Sequence, residues 1–126
     1  MTTAELLQAA KAAVPALARA RTEQKDQALL SMAQALVENQ EDILKANAKD
    51  LKAAQGKISP VMLDRLALSP ERIAAMAEGI GQVARLPDPV GRVLRRVERP
   101  NGLVIEKVAA PMGVVAIIYE SRPNVT

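Results

Sequence analysis

Over residues 1–86 apolar positions recur at helical spacing, and beyond them the apolar residues gather into short runs. Thr2 and Glu5 form a capping-box pattern ahead of Leu6, Ala9, Ala10, Ala13 and Leu17, which predicts a first helix that Pro15 kinks or breaks in two. Thr22 is placed to cap a second helix with Ala28, Leu29, Met32, Ala33 and Leu36 on one face, Met32 serving as core filler. Asn39 is placed to cap a third, with Ile43, Leu44, Ala48 and Leu51 inward and Gly56 as its stop. Ser59-Pro60 opens a short helix and Ser69-Pro70 a longer one, because Ser caps well and Pro is pre-shaped for the first helical position. Ile73, Met76, Ala77 and Ile80 form the buried stripe of that last helix, which ends before the prolines of "LPDPVG".

The pattern then changes. "RVLRRVER" and "LVIEKVA" flank Pro100-Asn101-Gly102, which predicts an antiparallel hairpin whose Asn-Gly pair takes the positive φ values of a tight turn. Val114 to Ile118 form a continuous apolar run, the pattern of a strand buried on both faces. Such a strand needs neighbours. Its carboxyl end carries Glu120, Ser121, Arg122, Pro123 and Asn124, a polar turn of the kind found at the mouth of a parallel sheet. Arg122 is the side chain in this turn that can grip a phosphate or carboxylate in a planar, bidentate way, with Ser121 and Asn124 as neutral donors. From spacing alone, a polar loop after a strand is a weak signal.

Composition narrows the chemistry. The 126 residues are 49% apolar but contain no Phe or Trp and one Tyr, so the large side chains that usually dominate burial are missing. Cysteine and histidine are both absent, which excludes disulfides, thiolate catalysis, a Ser-His-Asp triad and imidazole or thiolate metal sites within the chain. The amino terminus shows no basic segment leading into an apolar core, and no apolar run approaches the roughly 18 residues that span a bilayer. The expected setting is soluble and cytoplasmic, without a membrane. Between Gly91 and Val108, Arg92, Arg95, Arg96, Arg99 and Lys107 face only Glu98 and Glu106, which accounts for the whole net charge of +3. Without aromatic platforms for stacking bases, this basic stretch reads as a solvated, self-repelling β edge and not as a nucleic-acid interface.

Several stretches together carry a resemblance. "ANAKDL" at 46–51, "LDRLALSPERIAAMAEGIGQVARLPDPVG" at 63–91, "RPNGLVIEKVAAPMGVV" at 99–115 and above all "IIYESRPNVT" at 117–126 are similar to the γ-glutamyl phosphate reductase family of the aldehyde dehydrogenase superfamily. The resemblance covers essentially the whole chain, but only the amino-terminal portion of that family. It implies an α/β, aldehyde dehydrogenase-like fold of which this portion is mostly helical. Residues 1–86 would form the helical region, 87–112 a loop and hairpin resembling part of an oligomerisation arm, and 113–126 the first strand and turn of an incomplete dinucleotide-binding domain.

The resemblance also implies a reaction, the NADPH-dependent reduction of L-glutamyl 5-phosphate to L-glutamate 5-semialdehyde and phosphate in proline biosynthesis, by a homo-oligomer. A cysteine thiolate attacks the acyl phosphate in that family, and the cysteine belongs to a later domain. This chain, having none, is expected to be inactive alone. Ser121, Arg122 and Asn124 are the substrate-binding candidates, and either Arg122 or Asn124 stands where the superfamily places a donor for the developing oxyanion. The resemblance implies that most NADPH contacts come from later strands and loops, and no Gly-x-Gly-x-x-Gly occurs here either, so the cofactor-binding residues stay unassigned. Two other readings are a non-catalytic helical module that associates with a full-length subunit, and a small nucleic-acid binder using Arg92, Arg95, Arg96 and Arg99. The second predicts binding that weakens steeply with salt.

Overall fold

The computed structural model describes residues 2–118 and 123–125. Its elements are α1 (Thr3–Ala18), α2 (Thr22–Glu38), α3 (Gln40–Ala54), α4 (Pro60–Leu66), α5 (Pro70–Ala84), β1 (Val93–Glu98) and β2 (Val104–Val108). They fall into two compact units: the chain up to Thr22 with Pro87–Ala116, and Glu23–Leu86 with the residues from Ile117 onward.

In the first unit α1 starts on the expected capping box. The Glu5 amide donates to Thr2 Oγ1 at 3.3 Å and the Thr2 amide to Glu5 Oε2 at 2.6 Å, so two otherwise orphaned donors are satisfied reciprocally. Pro15 lies inside α1 without dividing it. The amide that proline lacks belongs to the last turn, so one bond is lost near an end and the helix continues to Ala18. Thr22 does not cap α2 as expected; it is the first helical residue, and its hydroxyl donates to Asp88 Oδ2 at 3.0 Å. Because its own backbone is already helical, Thr22 stands one position past the cap, and its hydroxyl turns to a long-range acceptor.

β1 and β2 form the expected antiparallel hairpin. Val97 pairs with Ile105, Arg96 with Glu106 and Arg95 with Lys107; the register then slips between Val93 and Arg95, so that Val93 meets Val108. The connection differs from a two-residue Asn-Gly turn. The Gly102 amide donates to the Arg99 carbonyl at 2.9 Å, placing Pro100 and Asn101 at the turn's centre, and Gly102 follows with φ of +83°. Pro100 has a fixed negative φ that suits the first central position, so the turn forms one residue earlier and Gly102 absorbs the left-handed conformation.

In the second unit α3 packs against α4 and α5. Asn39 does not cap α3: its Nδ2 donates back to the Ala35 carbonyl at 2.8 Å and finishes α2 instead. The chain between α2 and α3 is so short that one side chain can serve either end, and the free carbonyl wins. Gly56, with φ of +76°, ends α3 as expected. Both serine caps form, the Met62 amide donating to Ser59 Oγ at 3.3 Å and the Arg72 amide to Ser69 Oγ at 3.2 Å. The Ser69 hydroxyl also hydrogen-bonds the Glu71 carboxylate, which holds that group below its ordinary value of 4.5.

Asn47 is the buried polar residue of this unit and ties α3 to the α4–α5 connection. Its Nδ2 donates to the Leu66 carbonyl at 2.9 Å, and its Oδ1 accepts from the Leu68 amide at 2.8 Å. Ile73, at the start of α5, is fully buried. Among the described residues no buried side-chain nitrogen or oxygen lacks a hydrogen-bond partner.

Residues 114–118 are the apolar run that reads as a strand in need of neighbours. They join no ladder, and Val114, Val115, Ile117 and Ile118 are exposed, Ile118 at 99%. A strand exists only through hydrogen bonds to a neighbour, and β1 and β2, the strands among the described residues, are occupied with each other. Apolar character set the expectation; pairing decides the state. No helix among the described residues is long and apolar enough to cross a membrane.

Candidate functional site

Of the residues singled out in the carboxyl-terminal turn, Glu120, Ser121 and Arg122 lie outside the described residues. Asn124 is described. With Pro123 and Val125 it lines an open groove of about 1160 Å³ between α2 and α5. Leu29, Met32 and Leu36 of α2 make one wall, and Met76, Ile80 and Val83 of α5 the other. Each set recurs every three or four residues, which puts it on one helical face.

Met32 and Val83 are 56% and 53% exposed, so Met32 is a groove residue and not the core filler expected of it. Ala75 and Gly79 also line the groove and leave it wide where larger side chains would narrow it.

At the groove's margin Asp64 and Arg72 hold one another. Arg72 donates to Asp64 Oδ1 at 2.9 Å, and also to the main-chain carbonyls of Asp64 at 2.5 Å and Ala67 at 2.7 Å. This guanidinium is committed to fastening the end of α4 and is not presented to an anionic ligand. Arg65 also lines the groove. The described residues contain no cluster of three or more His, Cys, Asp or Glu side chains that could hold a metal ion. Among the described residues, the groove therefore offers apolar contact and a polar rim.

Gly79-Ile80-Gly81-Gln82-Val83-Ala84 has the glycine spacing of a dinucleotide-binding turn. It lies inside α5, where the backbone amides are engaged within the helix and cannot cradle a pyrophosphate.

The hairpin has a second surface of distinct character. Arg95, Val97, Arg99, Ile105 and Lys107 line one face without a carboxylate among them. On the other face Arg96 reaches Glu106 at 3.0 Å and Glu98 at 3.7 Å. Strand alternation sorts the charges, so the +3 of this stretch shows on one side.

No family model matches the chain. Solved structures show its fold to be that of the amino-terminal part of a much larger reductase. The γ-glutamyl phosphate reductase of Thermotoga maritima superposes with a TM-score of 0.89 at 39% identity, over 92% of this chain and 28% of that one. The Saccharomyces cerevisiae enzyme of the same name gives 0.88 at 33% identity, over 99% of this chain and 32% of that one. Sequence relatives are nearer. The γ-glutamyl phosphate reductase of Carboxydothermus hydrogenoformans is 58% identical over 122 residues, and that of Koribacter versatilis 55% identical over all 126. The chain corresponds to the amino-terminal portion of the γ-glutamyl phosphate reductases, spanning 29% and 30% of the length of those two relatives.

Proposed function

We propose that this chain serves as the amino-terminal portion of an enzyme that reduces L-glutamyl 5-phosphate to L-glutamate 5-semialdehyde with NADPH, releasing phosphate, in the cytoplasm. The match to the Koribacter reductase, which runs through Thr126 at 55% identity, supports this reading most directly. The catalytic cysteine belongs to the remainder, since the sequence has none. No residue of this portion is assigned to NADPH, most of whose contacts the reading places in the remainder. Bound elsewhere in the enzyme, NADPH would supply the hydride.

In this reading residues 1–86 are the helical region and 87–112 the loop and hairpin that joins subunits into a homo-oligomer. Residues 113–126 are the first strand and turn of the dinucleotide-binding domain, pairing only when the remainder supplies neighbours. Ser121, Arg122 and Asn124 hold the acyl phosphate, Arg122 through its fork of N–H donors, and Arg122 or Asn124 faces the acyl oxygen.

The test joins these 126 residues to the remainder of the Carboxydothermus enzyme and follows NADPH oxidation with L-glutamyl 5-phosphate. The fusion is expected to turn over, the 126-residue chain alone to show none, and Arg122→Ala to lower kcat/KM by about 100-fold or more. A fusion that folds but does not turn over rejects the reaction. Near-normal kcat/KM for Arg122→Ala removes Arg122 from the site.

A further inference from the structure

We infer that Asn101 is a site of self-modification, at which the Gly102 nitrogen attacks the Asn101 side chain and carries the hairpin tip through a succinimide to isoaspartate and aspartate. Asparagine is among the thermolabile residues, and of the four in this chain Asn101 alone precedes a glycine. Ring closure brings the following residue's main-chain nitrogen onto Cγ, an approach that a side chain on that residue would crowd. Gly102 has none, and the space that a Cβ would take there is empty to 4 Å.

Asn101 and Gly102 are both exposed in the connection between β1 and β2, so water reaches the reacting atoms. Asn101 Oδ1 accepts from the Leu103 amide at 3.2 Å, which draws electrons from Cγ and makes that carbon more open to attack. The Gly102 N–H donates to the Arg99 carbonyl at 2.9 Å and must let go first. That bond closes the turn of an exposed two-stranded hairpin, the kind of backbone bond that opens at little cost. The net charge of +3 between Gly91 and Val108 favours both loss of the Gly102 proton and the carboxylate that results. The other asparagines are held differently. Asn47 is buried within α3 with both ends of its amide bonded, Asn39 donates to the Ala35 carbonyl and is followed by the larger Gln40, and Asn124 precedes the β-branched Val125. Gln55-Gly56 has the glycine, but its longer side chain would close a larger and slower ring.

The reaction balances with water as its one co-reactant and without an oxidant. The Gly102 nitrogen gives its proton to solvent base and bonds to Asn101 Cγ, while the side-chain nitrogen takes up a proton and leaves as ammonia. Water then cleaves one of the two carbonyl–nitrogen bonds of the ring. Cleavage at Cγ gives aspartate; cleavage at the Asn101 main-chain carbonyl gives isoaspartate, in which the chain runs through the side-chain methylene. Either product adds a carboxylate, so the net charge of the chain falls by one from +3. Isoaspartate also lengthens the turn by a carbon, which loosens the neighbouring bond from the Arg99 amide to the Leu103 carbonyl, now 2.9 Å. None of these steps needs NADPH, the acyl phosphate or the remainder of a reductase, so the site is testable apart from the proposed reaction.

The test ages the 126-residue chain in warm, mildly alkaline buffer beside a synthetic peptide of residues 97–107. Trypsin frees the same peptide from the chain, because it cuts after Arg96 and Lys107 while Pro100 blocks the cut after Arg99. Chromatography with mass spectrometry is expected to show this peptide, taken from the aged chain, as two products about 1 Da heavier, isoaspartate in excess, relative to an unaged sample. The peptides holding Asn39, Asn47 and Asn124 are expected to keep their mass. Asn101→Gln, which retains an amide but needs the larger ring, is expected to gain none over the same period. The converted chain is expected to leave a cation exchanger earlier and to exchange its Arg99 amide faster. An aged chain still unconverted when the free peptide has reacted shows that the turn protects Asn101 and overturns the proposal. Conversion of another asparagine as fast as Asn101 overturns its assignment to this turn, and so does an equal mass gain in Asn101→Gln. Unchanged exchange at Arg99 after conversion rejects the loosening of the hairpin.

Discussion

Asn47 shows how much a single side chain can carry in a chain with a small core. Its amide satisfies the Leu66 carbonyl and the Leu68 amide together, so it holds the α4–α5 connection against α3. Asn47→Ala would leave a buried donor and a buried acceptor without partners, a loss of about 1–3 kcal/mol. Urea unfolding checks this; a midpoint unchanged within error would mean that water takes over both bonds. The "ANAKDL" stretch containing Asn47 was readable as a family segment, but its reason was not. Nothing local marks an asparagine in the middle of a helix as buried, because its two partners lie 19 and 21 residues further along.

At the scale of elements, the caps divide by the range of their interactions. Thr2, Ser59 and Ser69 act as their neighbours suggest, because each accepts from an amide three residues on. Thr22 and Asn39 do not: Thr22 is itself helical and donates to Asp88, and the Asn39 side chain is turned back to donate to the Ala35 carbonyl. The hairpin was legible from Pro100-Asn101-Gly102 and its flanking β-branched residues, although the turn's centre was misplaced by one position. Its register decides the electrostatics. Arg95 directly opposes Lys107, a like-charge pair that weakens the ladder. Lys107→Glu replaces that repulsion with an opposite-charge pair, as Arg96 and Glu106 already form next to it. The expected gain is about 0.2–1 kcal/mol, read as slower amide exchange within β1 and β2 at low salt and diminishing as salt is added. Unchanged exchange would mean that the Arg95 and Lys107 head groups already turn apart into water.

For the molecule as a whole, the exposed run at Val114–Ile118 matters most. Four large apolar side chains on unpaired backbone present both an apolar surface and a free strand edge. The 126-residue chain is therefore expected to self-associate as its concentration rises. Ile118→Lys, at a position 99% exposed and so free of packing cost, is expected to lower that tendency. Sedimentation velocity over a concentration series checks both. A wild-type chain that stays monomeric throughout would show that the run is shielded in solution, and an unchanged Ile118→Lys variant would move the sticky surface elsewhere.

The sequence by itself determined where the helices and the hairpin lie, though not whether Pro15 divides the first helix, because helical periodicity, serine-proline starts and a proline-asparagine-glycine turn act over a few residues. It also determined the kinship to the reductases, carried by stretches such as "IIYESRPNVT", and the exclusion of thiolate chemistry, since a residue that is absent cannot react. The tertiary structure decided which apolar stripes are covered. Periodicity marks the inner face of α2 and α5 but cannot say whether anything lies against it, and Met32 and Val83 turn out to border an open groove. It likewise decided that Val114–Ile118 forms no strand here, because strand formation depends on a hydrogen-bonding neighbour that the apolar run cannot provide for itself.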